Sequence, residues 1–99
     1  MRVYLSGPIT GVENYRDNFR NAAERLRADG IMDIINPAEL CEVLPLESTT
    51  WEEYLSIDMH LIDLAQCLVL LPGWRESKGA QREYGYALAK DLMIWEMDE

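Results

Sequence analysis

Cys67-Leu68-Val69-Leu70-Leu71-Pro72-Gly73 leads, through Trp74-Arg75-Glu76, into Ser77-Lys78-Gly79-Ala80-Gln81-Arg82-Glu83-Tyr84-Gly85-Tyr86-Ala87, and that order decides the fold. Five apolar residues in a row read as a buried strand over 67–71. Pro72 and Gly73 break it. Ser77 is a good helix N-cap, a role sufficient to explain it, and a helix follows over roughly 78–90. A buried strand, a glycine turn and a helix N-terminus together make a site for an anionic or polar ligand. Glu83 lies almost two turns into the helix, at the edge of the stripe Ala80, Tyr84, Ala87 and Leu88. Gly79 in the first turn lowers helix propensity, which points to something approaching the backbone closely there.

Working outward, residues 2–5 read as a first strand and Gly7 to Gly11 as a loop. Asn14 is placed to cap a helix whose apolar stripe is Phe19, Ala22, Ala23 and Leu26, and Gly30 stops it. Ile31 to Ile35 read as a second strand, closed by Asn36-Pro37, and residues 38–49 as a long irregular connection. Thr50 and Glu53 form a capping box for a helix with Trp51, Leu55, Ile62 and Ala65 on one face. Leu92 to Trp95 read as a last strand, and the acidic tail Glu96 to Glu99 as frayed. Strands alternating with helices mean a parallel sheet covered on both faces. The expected architecture is one domain over residues 1–99: a small three-layer α/β fold, flavodoxin-like or Rossmann-like, with four parallel strands in the order 2-1-3-4. In such sheets the ligand lies at the carboxyl ends of the strands. Three loops are therefore expected to meet there: Gly7–Gly11, Pro37–Thr49 and Pro72–Ser77.

The chain has 99 residues, 48% of them hydrophobic, enough for a real core in a domain of marginal size. Nine basic against 18 acidic residues give a net charge of -9, which argues against duplex nucleic acid or an anionic membrane as the main partner. A free nucleotide remains compatible, because a few backbone N–H groups bind phosphate locally. Cys41 and Cys67 are not spaced as a metal pair, His60 has no partner at metal spacing, and no cofactor is indicated. The P-loop, G-x-G-x-x-G and nucleophile-elbow patterns are absent from the sequence. The N-terminal MRVYLSG has too short an apolar part for a signal peptide and no run approaches a membrane span, so the cytoplasm is the expected location. A free edge at the fourth strand leads us to expect a homodimer or larger homo-oligomer.

Two acidic residues break the apolar pattern. Asp58 falls within the stripe of Trp51, Leu55, Ile62 and Ala65. Its carboxyl is then paired, carried sideways to water, or aimed into a pocket that opens on that face. Asp63 is on the opposite side and reads as solvated, as do Arg16, Arg20, Arg25 and Arg27 on the first helix. Tyr4 lies inside the first strand; it is either an ordinary core tyrosine or a hydrogen-bond partner for Glu83, if strands one and three are neighbours. Trp51 and Trp74 are each either packing residues or platforms for a planar ring.

Tyr4-x-x-Gly7-x-Ile9-x-Gly11, then Asp58, then Ser77-x-Gly79-x-x-x-Glu83-x-Gly85 resembles the nucleoside 2-deoxyribosyltransferase family, which includes 2′-deoxynucleoside 5′-monophosphate N-glycosidases. The resemblance spans nearly the whole chain, and its strength lies in the order of short motifs. It implies that Glu83 is the nucleophile, that Tyr4 orients it, and that Asp58 contacts the sugar or assists the departing base. It implies further that Ile9 lies against the base, with Gly7, Thr10 and Gly11 in the same loop, and that Ser77 and Gly79 surround the 5′ end of the sugar. Trp74 is carried as a further substrate-binding candidate. Thr10 stands where phosphate-specific members carry an arginine, and the chain ends soon after its fourth strand, so both a 5′-phosphate and transfer to a second base are open. The activity implied is cleavage or transfer of an N-glycosidic bond through a glycosyl-enzyme on Glu83, with a small nucleoside or nucleotide as partner. A protein that binds a nucleotide without cleaving it is the alternative, and a structural or inhibitory partner protein a third reading.

Overall fold

Val3 and Leu5 point to one face of strand β1 (Arg2–Ser6), Tyr4 and Ser6 to the other, and all four are fully buried. Only a central strand covered on both sides needs that pattern. The structure is a computed structural model that describes residues 1–97. Asp98 and Glu99, part of the tail expected to fray, lie outside the described residues, as does the side chain of Cys41.

The chain continues through α1 (Tyr15–Ala28), β2 (Asp33–Ile35), a short α2 (Leu40–Val43), α3 (Trp51–Ile62), β3 (Cys67–Leu70), α4 (Lys78–Ala89) and β4 (Met93–Glu96). All strand pairs are parallel and the order is β2-β1-β3-β4, as expected. Tyr4 stands beside Leu68, and Ser6 beside Leu70. One layer of core forms where Phe19, Ala22, Ala23 and Leu26 of α1 pack on Val3, Leu5, Cys67 and Val69. The other forms where Ile62, Ala65, Ala80 and Ala87 of the α3–α4 side pack on Tyr4, Leu68 and Leu70. Three layers result, with α1 on one face and α3 and α4 on the other.

Several local expectations are corrected. Asn14 sits at the α1 N-cap without capping through its side chain, whereas Thr50 and Glu53 form the full capping box of α3. The connection over 38–49 is not wholly irregular, because a 3-10 turn (Pro37–Glu39) and α2 occupy its start. Leu88 is exposed, outside the buried stripe of α4. Glu96 is not frayed. It is the last residue of β4, and its carboxylate accepts from the Trp74 indole (3.1 Å) and the Arg75 guanidinium (2.9 Å). The Met97 amide then donates to the Leu70 carbonyl. Asp63 is exposed but engaged, accepting from the Tyr86 hydroxyl and pairing with Lys90. β4 leaves one edge of the sheet open, with Met93 and Trp95 exposed beside it. No helix among the described residues is long and apolar enough to cross a membrane.

Candidate active site

The order β2-β1-β3-β4 places the point where chain direction across the sheet reverses between β1 and β3. Two loops leave the carboxyl ends of these neighbours, and they pack tightly on each other. A Cβ on Gly7 would come within 2.8 Å of the Leu71 Cβ, so the backbone at 7 needs glycine for close approach. Gly73 turns the second loop with φ 85°, and a Cβ there would press on Pro8 at 3.3 Å. The Leu71 amide donates to the Ser6 carbonyl at 2.8 Å and completes the join. Above it opens a cleft of about 1030 Å³, lined from all three expected loops, including Gly7, Ile9, Thr10, Pro37, Thr49 and Ser77. This is ample room for a nucleoside-sized ligand.

Glu83 reaches the base of this cleft from α4. It is only 5% exposed, and both its carboxylate oxygens are held. The Tyr4 hydroxyl donates to Oε2 at 2.7 Å, and the Ser6 hydroxyl donates to Oε1 at 2.6 Å. Tyr4 and Ser6 are two apart on β1 and therefore share the face that α4 covers. Hydrogen bonds to a charged acceptor in a dry site are worth about 1.5–3 kcal/mol each, which offsets part of the penalty of burying the carboxylate.

Asp58 lines the same cleft from α3. It is 8% exposed, and its Oδ1 is buried with no hydrogen-bond partner among the described residues. Its carboxyl faces the cleft and also engages Glu83 and Tyr4, so the pocket reading and the paired reading of its place in the α3 stripe both match the structure. Burial pushes the Asp58 carboxyl above the ordinary carboxylate range. Burial pushes Glu83 higher still, the Asp58 charge adds to this, and the Ser6 and Tyr4 hydroxyls pull the other way. Tyr4 is raised well above its ordinary value by burial and by the two acids, so it stays a neutral donor. Two carboxyls so close in a water-poor site do not both ionise readily, and near neutrality they hold one proton between them.

The candidates divide cleanly. Gly7, Ile9, Thr10, Asp58, Ser77, Gly79 and Glu83 line the cleft, and Tyr4 lies directly behind Glu83. Gly11 turns the first loop with φ 78° away from the cleft wall. Trp74 is not in the wall either. It is 8% exposed, packed at 4.8 Å on Tyr84, with its indole N–H used by Glu96. The tryptophan that does line the cleft is Trp51, over whose ring the Arg82 guanidinium stacks at 4.7 Å. Ser77 caps α4 by accepting from the Ala80 amide. Gly79 has no protein atom closer to a hypothetical Cβ than Leu55 Cδ2 at 3.8 Å, so packing does not demand glycine there. Ser6 was not singled out from the sequence, although its i+2 spacing from Tyr4 was the available signal. Among the described residues no group of three His, Cys, Asp or Glu side chains is placed to hold a metal ion.

Fold and cleft define an α/β protein with a hydroxyl-held carboxylate and a second buried acid at the switch point of its sheet. Residues 1–96 match the family model described as a domain of unknown function (DUF4406), and the chain belongs to that family. No curated protein and no solved structure matches it.

Proposed function

We propose that this protein cleaves the N-glycosidic bond of a 2′-deoxynucleoside or its 5′-phosphate, with Glu83 as nucleophile. The observation that carries this reading is the 2.7 Å hydrogen bond from Tyr4 to a Glu83 carboxylate buried at the base of a nucleoside-sized cleft. The resemblance of Tyr4, Gly7, Ile9, Asp58, Ser77, Gly79 and Glu83 to nucleoside 2-deoxyribosyltransferases supports the choice of substrate.

The chemistry follows from charge. Breaking the bond from C1′ to the base nitrogen develops positive charge on the sugar, and a carboxylate against C1′ stabilises it and can trap it covalently. A Glu83 oxygen forms the new bond to C1′ as the C1′–N bond breaks. The bonding pair leaves with the base, and the proton on Asp58 goes to the base. In the second step water attacks C1′, Asp58 takes its proton back, and Glu83 departs as carboxylate. A second base in place of water would give transfer. Glu83 must be charged and Asp58 protonated at the start; because burial raises Glu83 to about 8 and Asp58 to about 6, this is the minor arrangement of the pair's one proton, and the reaction draws on it.

The decisive measurement is chromatography of deoxynucleosides and deoxynucleotides incubated with the protein. Free base should appear, and Glu83→Gln should reduce its release at least about 1000-fold while the circular dichroism spectrum is preserved. Release that survives in a folded Glu83→Gln variant removes the nucleophile from this scheme. Tight binding of a nucleotide that emerges intact from the wild-type protein replaces catalysis with binding.

A further inference from the structure

We propose that Ser6 is a positioning residue that favours the charged, attacking form of Glu83 by donating to the carboxylate oxygen that Tyr4 does not reach. This rests on the glycosidase reading for its consequence in catalysis, but not for its structural content.

Ser6 is wholly buried at the end of β1, and its hydroxyl is spent on Glu83 Oε1 at 2.6 Å. A buried serine has few reasons to stand at the centre of an apolar sheet, and alanine would fill the place without a polar atom to satisfy. The titratable groups facing Glu83 are Tyr4 from β1 and Asp58 from α3, with the Tyr54 phenol one turn before Asp58 in the same cleft wall. β3 presents only Leu68 and Leu70 on that face. Tyr4 already serves Oε2. Without Ser6, Oε1 would face a dry, apolar surrounding beside another acid, and a proton would settle there.

With both hydroxyls donating, a proton on Glu83 forces one of them to give up its bond or reverse it. A proton on Asp58 Oδ1 breaks no hydrogen bond of that atom, although hydrogen bonding of the Asp58 carboxyl with Glu83 and Tyr4 favours its charged form. The two hydrogen bonds therefore work against the burial and the neighbouring acid that draw the shared proton to Glu83, and they keep a charged fraction of the nucleophile available. Ser6 is the stronger of the two hydroxyls in holding Glu83 charged, and it acts on the oxygen that Tyr4 does not reach.

Carbon-13 NMR of the side-chain carboxyls, followed through a pH titration, tests this without requiring any reaction. Ser6→Ala should move the Glu83 titration up by about one pH unit, the size expected for one lost hydrogen bond to a charge, and move Asp58 down. In the glycosidase assay the same variant should lower kcat near neutrality about tenfold and leave KM close to wild type, because the competent fraction falls and the cleft wall is untouched. Ser6→Cys preserves volume with a weaker donor, so it should shift Glu83 in the same direction by a smaller amount, and it decides the matter if Ser6→Ala does not fold. A Glu83 titration superimposable on wild type in a folded variant overturns the role of Ser6. Shifted titrations in a protein that releases no base leave Ser6 in place and overturn the glycosidase reading instead.

Discussion

A carboxyl at position 58 stands on α3 between Leu55 and Ile62, both buried, where an apolar side chain would serve the core better. Its pKa lies above the ordinary range because burial penalises its charge, and that charge in turn raises Glu83. Asp58→Asn keeps the shape and removes the charge. At pH 8, where the wild-type residue is ionised in the fold, the variant should be more stable by about 1 kcal/mol or more. At about pH 3.5, below the unfolded range near 4, the gain should largely vanish, since the wild-type carboxyl is then neutral in both the folded and the unfolded chain. Urea denaturation at the two pH values reads this directly, and equal stability at pH 8 would mean that the acid is better solvated than its burial implies. Base release should fall about 100-fold, the usual share of a positioned general acid. The loss should be smaller for a substrate whose base departs without needing a proton. Stability gained and activity lost at one atom is the pattern of a group retained for chemistry.

On the scale of elements, the first turn of α4 makes the sharpest demand. Gly79→Ala should stabilise the helix by up to about 1 kcal/mol, because the new methyl meets nothing nearer than 3.8 Å. That methyl would nonetheless stand toward Leu55 and Trp51 in the cleft wall, so base release should drop about tenfold or more. Melting temperature and kcat/KM moving in opposite directions is the expected outcome; a variant both stabler and fully active would show that no ligand approaches this turn. The element pattern was readable in the sequence where local signals were strong. Cys67–Leu71 reads as a buried strand, Thr50 and Glu53 as a helix start, and alternation implies a parallel sheet, in which the expected order 2-1-3-4 sets β1 beside β3 and hence Tyr4 near Glu83. Long-range partners were not readable. Trp74 is drawn from the cleft by Glu96, a residue 22 positions away that reads as tail, and this leaves Trp51 as the cleft tryptophan. Ser6 is not legible as a site residue because a serine before Gly7-Pro8 reads as the start of a loop, although β1 extends through it.

The molecule as a whole carries a net charge of -9, and its two most buried acids are also its least solvated ones, so its stability should depend on pH in an unusual way. A carboxyl raised in the fold binds its proton more tightly there than in the unfolded chain. Its contribution to folding is therefore most favourable at low pH and is lost as pH rises from the unfolded value toward the folded one. Burial sets that window between the usual carboxylate range near 4 and about 6 for Asp58 and about 8 for Glu83. Asp63 and Glu96 act oppositely. The Tyr86 hydroxyl holds Asp63 low and the Trp74 indole holds Glu96 low, so what they add is present above the unfolded range and is lost only in acid. The melting temperature should therefore peak in mildly acidic solution and decline through neutrality to pH 8. Repulsion among the surface acids would produce a decline of the same sign, but salt screens it, with a Debye length of about 8 Å at physiological ionic strength. The buried pair is shielded from salt by the protein itself. The decline between pH 5 and pH 8 should therefore persist in about 0.5 M sodium chloride, where exposed charges are largely screened, and should flatten in Glu83→Gln, which has no proton to lose. A decline abolished by salt and unchanged in that variant would move its origin from the cleft to the surface.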